Sequence, residues 1–247
     1  MQTHPAEQSI AAPVDHLVPP PGRIIVFSDL WCSFAHLAIH RLHAARSRLG
    51  LVDRVVLDHR AFPLELLNGT SSPRPGTDSE VAAIGRLDPD AGWRLWQASD
   101  WTYPSTTLPA LEAVQAAKEQ SLAASEALDL ALRRAFWIDS ANISLRPVIV
   151  AAAGTTDTVD VDALAETFDS GRARRAVMNQ YRVAKTDAVI CSPHLFLPDG
   201  SDHPNPGIDV SYTDEYGVGF PIVSRDDASV YDAILRRAAP QPAGTAG

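Results

Sequence analysis

The chain is poor in cysteine, with only Cys32 and Cys191 in 247 residues. Two thiols do not make a disulfide framework, so each has to be explained singly. Also missing is any run of Lys or Arg that would form a phosphate-binding stripe. With 21 basic residues against 30 acidic ones and a formal net charge of -9, no nucleic-acid partner is expected. The apolar runs are all far too short to cross a bilayer, so no membrane partner is expected either. Residues 1 to 22 carry Pro13, Pro19, Pro20 and Pro21 with scattered charge and lack the basic start and apolar core of a secretory signal. That predicts a cytoplasmic protein whose thiols are kept reduced. Asn68-Gly69-Thr70 matches a glycosylation acceptor but reads as a turn in this setting. No internal repeat is visible. What is present is an ordinary soluble composition, 45% hydrophobic and 21% charged, long enough to bury a core without staples.

The stretch "IIVFSDLWCSFAHLAIHRLH", residues 24 to 43, organises the first part. Residues 23 to 27 are nearly all apolar, which suits a central strand covered on both faces. Ser28 and Asp29 offer side-chain oxygens to the free amides that open a helix over 31 to 49, ended by Gly50. Residues 54 to 62 alternate as a second strand stopped at Pro63, so βαβ with a parallel strand pair is expected. From 79 to about 186 Ala, Leu, Glu and Arg dominate, predicting helices over 79–100, 107–119, 121–138, 145–153, 160–169 and 171–187. Residues 194–198 and 218–224 read as strands, the first turned by Asp199-Gly200. Residues 199–217, with Pro204, Pro206, Gly207, Gly217 and nearby Gly219, read as a long loop. A last helix capped by Asp226 or Asp227 runs to about Arg237, and the Pro/Gly/Ala-rich tail reads as disordered. The order βαβ, helices, ββα is that of an α/β chain: a thioredoxin-like fold (22–78 and 188–238) with an inserted helical domain (79–187) and flexible termini (1–21 and 239–247).

Cys32 falls at the junction of strand, turn and helix. There the positive end of the helix dipole and unpaired amides favour a thiolate, the reactive form of cysteine. The alternative is a small buried hydrophobe; the junction favours the nucleophile. His36, His40 and His43 follow at helical spacings. With Cys32 they could share one face and bind a soft divalent metal, but the helix has to bury a face on the sheet, and no metal is expected. His36, one turn below Cys32, could instead tune the thiol or accept its proton, and His194 is a second such candidate.

"SDLWCSFAH" after a central strand, "RAFPLELLN" on the next strand, the helical block and "CSPHLFLPDG" leading to "NPGI" together resemble the DsbA-like thioredoxin family. The similarity is greatest to its FrnE-like branch, which neighbours 2-hydroxychromene-2-carboxylate isomerases and kappa-class glutathione transferases, and it covers most of residues 22 to 238. The resemblance implies that Cys32 is the nucleophilic cysteine of a CxxC motif, with Ser33 and Phe34 between and Ala35 where the resolving cysteine would stand. It implies a cis-proline at Pro193, with Ser192 offering its backbone to a bound peptide or thiol. Cys32, Ser33, Phe34 and His36 then form the expected catalytic set, and Trp31, Ser192, Pro193 and His194 the expected substrate-binding set. Cys191 lies two residues before Pro193, but strand alternation turns it away from Cys32 if Ser192 faces the site. Trp93, Trp96, Trp101, Trp137, Tyr103 and Phe136 could join Trp31 and Phe34 in an aromatic pocket, or be core, as expected first for Trp96 and Trp137.

Three functions follow from the resemblance and the missing second thiol. The first is a thiol-disulfide oxidoreductase with no bound cofactor, its lone Cys32 working with a low-molecular-weight thiol such as glutathione or mycothiol on a small-molecule or peptide thiol substrate, in a chain that could form a homodimer. The second is a thiol-dependent isomerase or transferase acting on a small aromatic or unsaturated molecule. The third is a non-catalytic thioredoxin-fold binding protein, which a deeply buried Cys32 of ordinary reactivity would favour.

Overall fold

In the computed structural model, which describes residues 17–215 and 218–240, the apolar run after Gly22 lies in the middle of a four-stranded sheet. β1 (Arg23–Ser28) pairs parallel with β2 (Val56–Ala61) and antiparallel with β3 (His194–Phe196), which pairs antiparallel with β4 (Asp202–Pro204), giving the order β2-β1-β3-β4. Alternation along β1 sends Ile24 and Val26 to one face, against α1 (Ser33–Arg48) and the Tyr231, Ile234 and Leu235 side of α9 (Val230–Ala238). It sends Ile25 and Phe27 to the other, with Phe62, Val189 and Phe196. Both faces are covered, which is why the strand carries no polar alternation.

Between β2 and β3 the chain forms α2 (Leu64–Asn68), α3 (Arg74–Ile84), α4 (Leu108–Gln120), α5 (Leu122–Trp137), α6 (Arg146–Ala153), α7 (Val161–Asp169) and α8 (Arg172–Ala184). Leu111, Val114, Leu128, Leu132, Phe136, Ile149, Leu164 and Val177 close a second core among α4 to α8. These helices also finish the sheet. The outer edge of β2 presents the N–H groups of Leu57 and Ala61 and the carbonyl of His59. Glu126 of α5 accepts from Leu57 (2.9 Å), Gln180 of α8 accepts from Ala61 (2.7 Å), and Gln115 and Lys118 of α4 donate to His59. Side chains thus satisfy an edge that would otherwise template pairing with another chain.

Several sequence expectations need correction. The helix expected over 79–100 begins at Arg74, because Pro75 fits the first turn, and stops at Ile84, where Gly85, Pro89 and Gly92 break the chain into short 3-10 turns. Gly92 has φ +75°, a backbone conformation in which any residue with a Cβ is strained, so glycine is favoured there. The loop expected over 199–217 holds β4 and β5 (Ile208–Tyr212), and the predicted strand at 218–224 is β6 (Pro221–Asp226), which pairs with β5 in a separate two-stranded sheet. These strands are short and interrupted by Pro and Gly, so no periodicity announces them. Gly217 and much of the expected flexible ends lie outside the described residues. Within the described part, Leu17 is buried against the Ile25 face and the Pro240 carbonyl accepts from Arg54.

Candidate active site

Antiparallel pairing of β1 with β3 sets Phe27 beside His194, so the end of β1 and the start of β3 share one end of the sheet. The turn at 29–32 and the loop at 191–193, far apart in sequence, therefore meet. Asp29 ties them. Its backbone N–H donates to Ser192 Oγ (3.0 Å), while its carboxylate accepts from Trp31 N (3.0 Å), Leu64 N (2.8 Å) and Thr107 Oγ (2.9 Å). Burial pushes this carboxyl up, and those three donors pull it back. The expectation that Ser28 and Asp29 cap the helix is thus corrected: Ser28 Oγ accepts from Arg133, and the residue capping α1 is Cys32 itself.

Cys32 Sγ accepts from Ala35 N at 3.4 Å and donates to the Ser192 carbonyl at 2.9 Å. The Ser192–Pro193 peptide is cis. Cys32 is only 9% exposed, and burial first, then the Glu80 carboxylate, push its thiol up to about 12. Hydrogen bonding with Ser192 and from the Ala35 N–H pulls the other way and loses. Burial therefore works against the stabilised thiolate expected at a helix start and favours the neutral thiol, because desolvation outweighs a few partial charges. Ala35 is fully buried at the position where a resolving cysteine would stand.

Cys32 lines a cavity of about 610 Å3 walled by Trp31, Phe34, Phe62, Leu64 and Ile190, with Glu80, Lys185, Cys191, Ser192 and Tyr212 among its polar groups. The structure brings together Trp31, Cys32, Phe34 and Ser192 of the expected set. Ser33 is buried beneath, its hydroxyl donating to Glu80 Oε2 at 2.6 Å. Cys191 also lines the cavity, but both cysteines are free and its Sγ donates to the Pro193 carbonyl at 3.3 Å.

His36 and His194 do not reach this cavity. The His36 ring bonds through Nε2 to the Ala91 carbonyl (3.1 Å), lies edge-on to Trp93 and stacks on Trp137, and lines a separate cavity of about 220 Å3. Burial and nearby Arg133 lower its pKa to about 3, so it is neutral and remote from the thiol proton. His194 accepts from Ile190 N (3.3 Å) and bonds to Asp202 (2.9 Å), shaping the 190–194 loop. The three histidines of α1 go separate ways: His40 pairs with Asp88 and His43 with Arg46 and Glu126. Among the described residues no cluster of three or more His, Cys, Asp or Glu could hold a metal.

Of the aromatic residues proposed for a pocket, only Trp31 and Phe34 line the Cys32 cavity. Trp96 and Trp137 are core, Trp101 is 86% exposed, and Tyr103 stacks parallel to Trp31 at 6.5 Å. Sequence reasoning missed Phe62, Leu64, Lys185, Tyr212 and Glu80. Glu80 left a signal: it falls with Thr77, Val81 and Ile84 on the buried stripe of α3, where a carboxylate is out of place.

Residues 23–207 match the family model described as the DSBA-like thioredoxin domain. Comparison with curated protein sequences finds no match. Among solved structures, the chain is similar to the cytosolic disulfide reductase DsbM from Pseudomonas aeruginosa, at 16% identity over 87% of this chain and 97% of that one, with a TM-score of 0.53. It is similar to a probable DsbA oxidoreductase from Streptomyces coelicolor (18%, 87% and 89%, TM-score 0.55) and to a 2-hydroxychromene-2-carboxylate isomerase (17%, 73% and 87%, TM-score 0.54). At these identities the likeness is one of fold. Because the family model spans well over half of its length, the chain belongs to the DSBA-like thioredoxin domain family.

Proposed function

We propose that the protein is a thiol-disulfide oxidoreductase in which Cys32 alone does the covalent work, together with a low-molecular-weight thiol such as glutathione or mycothiol. The observation that carries this reading is the setting of Cys32: its residue lines the large apolar cavity, its sulfur faces the Ser192 carbonyl, and a methyl group stands where a second thiol would be. When Cys32 attacks a substrate disulfide its S–H proton leaves, a bond forms to one substrate sulfur, and the other departs as a thiolate. Ala35 cannot release the mixed disulfide, so a thiol from solution gives up its proton and attacks it, leaving the substrate sulfur joined to the incoming sulfur and the released Cys32 sulfur to take up that proton. One disulfide is consumed and one formed, so no further oxidant enters the cycle. The cycle suits the cytoplasm, where such a thiol pool is maintained.

The aromatic and aliphatic walls favour a second reading, in which Cys32 acts on a small unsaturated molecule as isomerase or transferase. The buried, protonated thiol favours a third, a binding protein. Incubation with glutathione disulfide followed by intact-mass spectrometry separates them. A single glutathionyl adduct that survives in Cys191→Ser, is absent in Cys32→Ser, and is removed by added glutathione supports the oxidoreductase. Failure of native Cys32 to form an adduct that the urea-unfolded chain forms readily would sink it.

A further inference from the structure

A thiol held neutral in a buried site has to hand its proton to something before it can attack. The groups around Cys32 are unequal to that task. Asp29 accepts the backbone N–H of Trp31 on one oxygen and that of Leu64 on the other; both groups can only donate, so a proton on either oxygen is set against an N–H. Lys185 is exposed and carries its own positive charge. His36 bonds elsewhere, as described above. Tyr103, hydrogen-bonded to Thr77, is held protonated by burial.

Glu80 is different. It is 5% exposed, lines the same cavity as Cys32, and its two carboxyl oxygens meet two hydroxyls: Oε2 accepts from Ser33 Oγ and Oε1 from Tyr212 Oη, each at 2.6 Å. Among the described residues no Lys or Arg forms an ion pair with it, whereas the buried carboxylates Asp129 and Glu126 are each held by an arginine. A hydroxyl can donate or accept. Ionised Glu80 accepts from both; neutral Glu80 donates to one and accepts from the other. The carboxyl can thus change protonation state without breaking either hydrogen bond, and burial raises its pKa above the ordinary carboxylate value.

We propose that Glu80 is the proton carrier for Cys32: its carboxylate receives the thiol proton, directly or through one cavity water, as the sulfur attacks, and returns it to the departing thiolate. The S–H bond of Cys32 breaks as an O–H bond forms on Glu80, and the same proton leaves with the released thiol. Three elements build this arrangement, the start of α1, the middle of α3 and the end of β5. The inference rests on Cys32 being the nucleophile.

The test is the rate of Cys32 alkylation by iodoacetamide against pH, scored by peptide mass spectrometry with Cys191 read in the same sample. Wild type should show a shoulder at the raised carboxyl pKa, well below the thiol's own limb. Glu80→Gln should abolish the shoulder and slow Cys32 by roughly 10²-fold at neutral pH, the low end of what a positioned general base contributes, while Cys191 is unchanged. If Glu80 acts only as a repelling charge, Glu80→Gln lowers the thiol pKa and speeds Cys32, which overturns the proposal, as does an unchanged rate. Should that variant unfold, both cysteines label fast. Tyr212→Phe then decides: with one donor lost the carboxylate is less stabilised, and the shoulder moves to higher pH, whereas an unmoved shoulder overturns the proposal. Wild-type Cys32 that labels only after unfolding would instead refute its nucleophilic role.

Discussion

Arg133 shows how closely the helical segment is tied to the Cys32 turn. Its guanidinium, 1% exposed, donates to both oxygens of Asp129 (2.6 and 3.3 Å), to the Asp29 carbonyl (3.2 Å) and to Ser28 Oγ (2.9 Å). Replacing it with Met keeps most of the volume but leaves Asp129, 2% exposed, as a buried carboxylate with His59 at 3.5 Å in place of the guanidinium. Breaking a buried pair from one side costs about 3–5 kcal/mol, against a total stability of about 5–15 kcal/mol. For a chain of this size that is a fall in Tm of roughly 6–20 °C. Urea unfolding followed by tryptophan fluorescence should give a lower midpoint for Arg133→Met, and the double variant Arg133→Met/Asp129→Leu should recover much of the loss because the orphaned charge is gone. The pH dependence has a definite sign. Arg133 holds the Asp129 carboxyl below its ordinary range, so the stability it contributes is present above the unfolded carboxylate pKa and lost on acidification. As pH falls, a proton on Asp129 or His59 neutralises the orphan, and the gap between wild type and Arg133→Met should narrow. A loss under about 1 kcal/mol, or a double variant no better than the single, would refute the reasoning.

Two further outcomes follow from the same geometry. His36 is buried and His43 half-buried, and desolvation lowers their pKa values to about 3 and about 4, so the unfolded chain binds protons more readily than the folded one. Stability should fall as pH drops from about 6.5 toward about 4, and His43→Gln should flatten that slope in acid-unfolding curves; an unchanged slope would exclude His43 as a contributor. Ala35→Cys restores a second thiol in the first turn, at a cost of about 1–3 kcal/mol for overfilling a fully buried position. It should convert the glutathionyl adduct on Cys32 into an internal disulfide between Cys32 and the introduced thiol, seen as loss of the adduct by mass spectrometry. Persistence of the adduct would show that a side chain at position 35 cannot reach the sulfur.

The two-sided apolar run of β1, the alternation in β2 and the helical stripes of α1, α4 and α5 are local signals, each encoded within about twenty residues, and they appear in the structure within a residue or two of their expected bounds. The glycine and proline clusters at 85–92 and 199–207 misled in opposite directions. The first was passed over inside a long helical pattern, and the second was read as loop where two short strands form. Short strands are stabilised by their partners, and partners are not visible in a one-dimensional pattern. The same limit applied to side chains: His36 has the right spacing from Cys32, yet its ring is drawn away by Ala91, Trp93 and Trp137, all contributed by the helical segment.

The sequence by itself determined that a lone cysteine stands at a strand-to-helix junction with alanine three residues on, because those are covalent facts of adjacent residues. Only the tertiary structure decided what that cysteine is. Pairing of β1 with β3 set the Ser192 carbonyl against its sulfur, the packing of α3 and β5 brought Glu80 and Tyr212 to the same cavity, and burial raised the thiol pKa that the helix start would lower. Charge state depends on the dielectric and the neighbours around a group, and both are properties of the folded chain.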